Sequence, residues 1–190
     1  MSKKYQIILA DPPWTYKVWS KKGTGRSAEQ HYSVMSKRQI QEIPIQKICK
    51  KDCVLFLWVT APCLIEGLEL INKWGFTYKT KAFNWVKRNK KANSWFWGLG
   101  HWTRANSEDC LLATKGNPRR IDKGVHQIID DRITQHSCKP NEVRNRIVKL
   151  MGDLPRIELF AREKTEGWDA IGYDIDGVDI KESLDKLVTQ

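Results

Sequence analysis

The sequence predicts an α/β protein with a mostly parallel central sheet and helices on both faces. Three observations carry this prediction. First, Tyr5-Gln6-Ile7-Ile8-Leu9-Ala10, Val54-Leu55-Phe56-Leu57-Trp58-Val59-Thr60 and the run from Arg156 to Ala161 are short and largely apolar, as strands buried on both faces are. Second, two amphipathic segments carry helix start and stop signals: Pro62 with Gly75, and Pro140 with Gly152. Third, strand and helix patterns alternate along the chain, which is the order a parallel sheet requires. At 190 residues, a single domain over 1–190 buries a sufficient core.

The elements follow in order. The first strand stops at Ala10, because Pro12 and Pro13 lack the donors a central strand needs. Residues 15–36 are polar, with Lys21-Lys22-Gly23-Thr24-Gly25 among them, and predict a mobile loop. Ser36 is placed to cap a helix that starts near Lys37 and stops before Pro44. The helix opened by Pro62 runs through Trp74, with Leu64, Leu68 and Ile71 as its apolar face. Phe76 to Val86 reads as a strand, 88–104 as a loop, and Glu108 to Thr114 as a strand ended by Lys115-Gly116-Asn117-Pro118. A short strand is expected near 126–133. The helix from Pro140 presents Val143, Ile147 and Leu150, and a docking tail begins at about Asp174.

Charge narrows the partners. Lys and Arg number 33 against 22 Asp and Glu, a formal charge of +11, which favours polyanions, nucleic acid first. From Lys79 to Arg104 every charged residue is basic, and Trp85, Trp95, Phe96, Trp97 and Trp102 are interleaved with them. Cations neutralise phosphates and aromatic rings stack on bases, so Lys87, Arg88, Lys90, Lys91, Trp95, Trp97 and Arg104 are the candidate nucleic-acid contacts. The competing reading is a solvated basic loop whose tryptophans serve the core or a protein interface. Five cysteines without a CxxC pair predict neither a disulfide framework nor a zinc site, and point to a reducing cytoplasm. No apolar run is long enough for a bilayer, and the short N-terminal stretch before the first strand predicts no secretory signal.

Asp11-Pro12-Pro13-Trp14 follows the first strand directly, at the sheet edge where open α/β folds bind ligands. A carboxylate and rigidly directed carbonyls beside an indole suit a flat, amino-bearing ring such as a nucleobase. A Pro-rich turn with a satisfied Asp and a core Trp is the plainer alternative.

Six segments in order add to this: Asp11-Pro12-Pro13-Trp14, Phe56-Leu57-Trp58-Val59-Thr60, Trp85-Val86-Lys87, Lys115-Gly116-Asn117-Pro118, Ser137-Cys138-Lys139-Pro140-Asn141-Glu142 and Ile157-Glu158-Leu159-Phe160-Ala161-Arg162. Together, over about residues 5–173, they resemble the DPPW-type adenine-N6 methyltransferases. That family contains the catalytic subunit of the eukaryotic mRNA enzyme and many bacterial and phage DNA enzymes. The resemblance implies a Rossmann-like methyltransferase fold, S-adenosyl-L-methionine as cofactor, no metal, and catalysis by Asp11, Pro12, Pro13 and Trp14. It implies Trp14 and Tyr32 as the base pocket, and Asp11, Lys139, Glu158, Arg162 and Tyr173 on the cofactor side, with Lys139 near the methionine carboxylate and Glu158 and Arg162 near the ribose. It further implies a homodimer or heterodimer through 88–104, and a bacterial cytoplasm, or a host cytoplasm for a phage protein. DNA is the expected substrate; RNA methylation and a non-catalytic nucleic-acid-binding subunit are the alternatives. The sequence departs from the family at Tyr173-Asp174, where the adenosine contacts must differ, and at Lys164-Thr165.

Overall fold

The computed structural model describes residues 3–14, 35–100, 102–134 and 138–189. Among them seven strands form one sheet: β1 (Tyr5–Ala10), β2 (Cys49–Val59), β3 (Thr77–Arg88), β4 (Ser107–Lys115), β5 (Ile128–Arg132), β6 (Arg156–Leu159) and β7 (Asp169–Ile171). Their order is β5-β3-β4-β2-β1-β6-β7. The pairs β1–β2, β1–β6, β3–β5 and β6–β7 are parallel, as expected of a mostly parallel sheet. Only β4 runs against its neighbours, β2 and β3. The C-terminal ends of six strands and the start of β4 therefore share one edge. From β1 the chain moves to β2 on one side and returns on the other as β6. Asp11 thus lies where the strand order reverses, the usual ligand-binding crevice of such sheets.

Side-chain alternation splits the core into two layers. Ile8, Ala10, Leu55, Leu57 and Val59 pack with residues of α1 (Lys37–Gln41), α2 (Leu64–Lys73) and α5 (Ile180–Thr189). Ile7, Leu9, Val54, Phe56 and Trp58 pack with Val143, Ile147 and Met151 of α3 (Glu142–Met151) on the other face. Helices on both faces are thereby present.

Several local expectations hold. Ser36 caps α1 through a reciprocal pair with Gln39, the Gln39 N–H donating to Ser36 Oγ and the Ser36 N–H to Gln39 Oε1. The tail docks: after the short α4 (Tyr173–Asp176), α5 buries Ile180, Ser183 and Leu184.

Others need correction. Pro62 lies in a 3-10 turn (Ala61–Cys63), and α2 begins only at Leu64. Its inward face is Cys63, Gly67, Leu70, Ile71 and Trp74, whereas Leu64 is 40% exposed. The helix is rotated from the expected Leu64–Leu68–Ile71 face because Gly67 lies against β2. A Cβ there would stand 2.4 Å from Val59 Cγ1. In α3 the helix starts two residues after Pro140, Leu150 is only half-buried, and Arg144 is buried instead. The three-residue β7 and the reversed β4 had no sequence signal. The loop expected at 15–36 lies outside the described residues except for Met35 and Ser36.

Candidate active site

The shared edge gathers charge. Asp11 follows β1, its N–H directed to the Leu159 carbonyl of β6 at 3.5 Å. Lys139, in the segment before α3, places Nζ 2.7 Å from Asp11 Oδ2 and 3.2 Å from Glu108 Oε2. Lys87, near the end of β3, pairs with Glu108 Oε1. The result is a chain of alternating charges, Asp11–Lys139–Glu108–Lys87, with every side chain at least four-fifths buried. Its floor is aromatic: Lys139 Nζ lies 5.4 Å from the Trp58 ring centre and Lys87 Nζ 4.9 Å from that of Trp85.

Burial opposes the charges of Glu108 and Lys139, and the neighbours overrule it. Burial works against the Glu108 carboxylate, but Lys139 and Lys87 outweigh it and hold its pKa down at about 2. Burial likewise disfavours the Lys139 ammonium, and Asp11 with Glu108 raises its pKa above the ordinary lysine value.

The tetrapeptide is locked from within. Trp14 N–H donates to the Pro12 carbonyl at 2.8 Å, and the Trp14 indole N–H donates to the Trp58 carbonyl at 2.9 Å. Trp14 is 8% exposed and packs in the α1–α2 core layer. Its ring therefore fastens the loop to β2 instead of presenting the open stacking face expected for a base. Pro12 keeps a second carbonyl lone pair beyond the one Trp14 uses. Tyr32 lies outside the described residues.

On the other side of Asp11, Glu158 of β6 receives a bidentate pair from Arg144, Nε to Oε2 at 2.7 Å and Nη2 to Oε1 at 2.9 Å. Asn141 Oδ1 accepts from Arg144 Nη1 at 2.6 Å and fixes the fork. Burial still lifts Glu158 above the usual carboxylate range, with Arg144 acting in the opposite sense. After β6, Phe160 adopts φ 61°, a left-handed conformation that costs a bulky residue roughly 1–3 kcal/mol and gathers at functional sites. Gly172 at the end of β7 abuts this turn: a Cβ there would stand 2.4 Å from the Ala161 carbonyl oxygen. Arg162 is half-buried just beyond, and Tyr173 is 69% exposed.

These groups fit a methyl donor of the amino-acid–nucleoside type. The set offers a cation for a carboxylate in Lys139, and carboxylates for hydroxyls or an ammonium in Glu158 and Asp11. Each Glu158 oxygen spends one acceptor position on Arg144 and keeps another. Among the described residues no three His, Cys, Asp or Glu side chains gather as a metal site.

The basic loop connects β3 to β4 and so leaves from the same edge. Its members divide. Lys87 is turned inward to Glu108, and Trp85 is core, 2% exposed. Arg88 grips Asp130 with Nε and Nη2, both at 2.6 Å, while Trp95 lies 4.2 Å from its guanidinium carbon. Arg88 and Trp95 thus close the base of the loop. Lys90, Lys91, Trp97 and Arg104 are exposed, with Leu99 and Trp102 beside them.

Glu108 and Arg144 were missed from the sequence. The available signal was an acid opening a buried strand, and an arginine one position from the apolar stripe of a helix.

The MT-A70 family pattern matches residues 5–174. The chain belongs to the MT-A70 family. Among its relatives, the type II methyltransferase M.MunI of Mycoplasma is 35% identical over 91% of this chain and 78% of its own length. The human N(6)-adenosine-methyltransferase catalytic subunit METTL3 is 30% identical over 92% of this chain but only 29% of its own length. A Drosophila melanogaster N(6)-adenosine-methyltransferase MT-A70-like protein is 28% identical over 98% of the chain and 29% of its length. MT-A70 membership bears out the resemblance carried by the six motifs, and with it the class of adenine-N6 methyltransferase. Among the described residues no helix is long and apolar enough to cross a membrane.

Proposed function

We propose that this chain transfers the methyl group of S-adenosyl-L-methionine to the N6 amino group of adenine in DNA. The carrying observation is the position of Asp11: a carboxylate at the strand-reversal edge, held through Oδ2 by Lys139 at 2.7 Å in a family of adenine-N6 methyltransferases. When bound, S-adenosyl-L-methionine supplies an electrophilic methyl carbon. The chain's residues supply orientation. An aryl amine is a poor nucleophile because its lone pair is delocalised into the ring. Asp11 and the Pro12 carbonyl accept from the amine and draw it toward tetrahedral geometry, and the carboxylate offsets positive charge as it develops on nitrogen. Holding the partners in line supplies the proximity contribution. Lys139 engages one oxygen of Asp11, and a carboxylate has about four acceptor positions, so pairing and amine binding are compatible. The amine loses its proton readily only once methylated, so Asp11 serves as acceptor and electrostatic partner. Lys139 neutralises the methionine carboxylate, Glu158 accepts from the ribose, and Arg162 and Tyr173 complete the cofactor side.

Support for DNA comes from the match to the type II methyltransferase, which is similar over most of its length and not over a fragment. The exposed Lys90, Lys91, Trp97 and Arg104 contact the polymer, and the same loop, through Trp97, Leu99 and Trp102, can take a protein partner. A target adenine in a duplex must leave the stack to reach side chains this buried.

The test is purified chain with labelled cofactor and adenine-containing DNA or RNA, followed by nucleoside mass spectrometry. N6-methyladenine in DNA is expected. Methylation of RNA alone would move the substrate, and methylation of neither would refute the proposal. Asp11→Ala should abolish transfer and leave salt-dependent DNA binding intact.

A further inference from the structure

Lys87 stands in the most basic stretch of the chain, yet its side chain is only 17% exposed. Alternation along β3 places it on the same face as Phe83 and Trp85, and there it meets Glu108 at the start of β4. Lys139 is shared unequally between two carboxylates, 2.7 Å from Asp11 and 3.2 Å from Glu108. Both carboxylates attract the same ammonium, and what distinguishes them is that Glu108 already has a second cation.

We propose that Lys87 is a positioning residue of the methyl-transfer centre: by occupying Glu108 it lets Lys139 lean on Asp11. This rests on the roles given to Asp11 and Lys139 in the proposed reaction. Without the Lys87 ammonium, Glu108 becomes the stronger competitor for Lys139, which moves away from Asp11 and from the place where it meets the donor carboxylate. A lysine that serves phosphate must swing into solvent; Lys87 is pinned between Glu108 and the face of Trp85. The groups facing Glu108 are Lys87 from β3, Lys139 from the segment before α3 and, beyond Lys139, Asp11 of β1. Cys110 is its neighbour on the same face of β4. Asp109 turns to the opposite face, where it meets Lys81 and Asn84.

Lys87→Met and Lys87→Arg in the full chain test this. Carbon-detected NMR of the Glu108 carboxyl should show its titration in Lys87→Met rising by about one pH unit or more, since one of two adjacent cations is gone. The KM for S-adenosyl-L-methionine should rise about tenfold, the equivalent of one pH unit of ion pairing. DNA affinity and its salt dependence should stay unchanged, and Lys87→Arg should restore both the titration and the KM. A Lys87→Met protein whose Glu108 titration and donor KM are unmoved overturns the proposal. So does one whose log-affinity against log-salt slope falls by about 0.9, the signature of a lost phosphate contact. Should Lys87→Met not fold, Glu108→Gln replaces it: with the competing carboxylate gone, Lys139 leans on Asp11 unopposed and the donor KM should stay level or fall, so a folded Glu108→Gln whose donor KM rises about tenfold is equally fatal. The NMR and DNA-binding arms need no turnover, so a chain that methylates nothing would refute the proposed reaction without deciding the role of Lys87.

Discussion

Two buried ion pairs flank Asp11, and they differ in kind. Arg144–Glu158 is a closed bidentate fork of two side chains each about nine-tenths buried. Removing one partner of such a pair strands the other charge, a loss of about 3–5 kcal/mol. Urea unfolding of Arg144→Met should show a loss of that size, and Arg144→Met with Glu158→Leu should recover most of it. Recovery would mark the pair as a means of orienting Glu158 and not as a source of stability. Glu108 gives a pH signature. Its carboxyl ionises more readily in the folded chain, at about 2, than at the ordinary 4.5, so it contributes stability above 4.5 that is lost as pH falls toward 2. The stability difference between the wild type and Glu108→Gln should therefore be flat above about pH 5 and shrink below it; a difference independent of pH down to 2 would contradict the pairing.

At the scale of elements, α2 is positioned by its smallest residue. Gly67→Ala gains up to about 1 kcal/mol of helix propensity, but its Cβ would collide with Val59 Cγ1 at 2.4 Å, and such overpacking costs about 1–3 kcal/mol. Gly67→Ala should lower stability, and Gly67→Ala in a Val59→Ala background should not; additive losses would deny the contact. The same position shows what the sequence concealed. Strands β1, β2 and β6 were legible because their apolar runs fit only a two-sided core, and Ser36 marked a helix start by local chemistry. Face selection in α2 was not legible: counting apolar residues favours Leu64, whereas closeness of approach favours Gly67. The direction of β4 and the existence of β7 depend on partners distant in sequence. At the site, Asp11 was readable from the two prolines that end β1. Glu108, Arg144 and the inward turn of Lys87 were not, because each acquires its meaning from a charge on another element.

For the whole molecule, the count of 33 Lys and Arg overstates what a polyanion meets, since Lys87, Arg88, Lys139 and Arg144 are paired with carboxylates of the chain itself. In the loop between β3 and β4, Lys90, Lys91 and Arg104 are exposed. Replacing all three with Gln should reduce the slope of log affinity for duplex DNA against log salt by about 2.7, at roughly 0.9 for each lost phosphate contact. An unchanged slope would assign the loop to a protein partner instead. Whichever partner it takes, the reversed strand β4 has a consequence. Because β3 and β4 form one antiparallel pair, the excursion at 89–106 begins and ends at the reaction edge, and Arg88 with Trp95 ties its base shut independently of its tip. What the tip reads can therefore change by insertion, deletion or exchange between those anchors while Asp11, Lys139 and Glu108 stay where they are. The tip of the excursion and the charges at the edge are thus separable within a single hairpin.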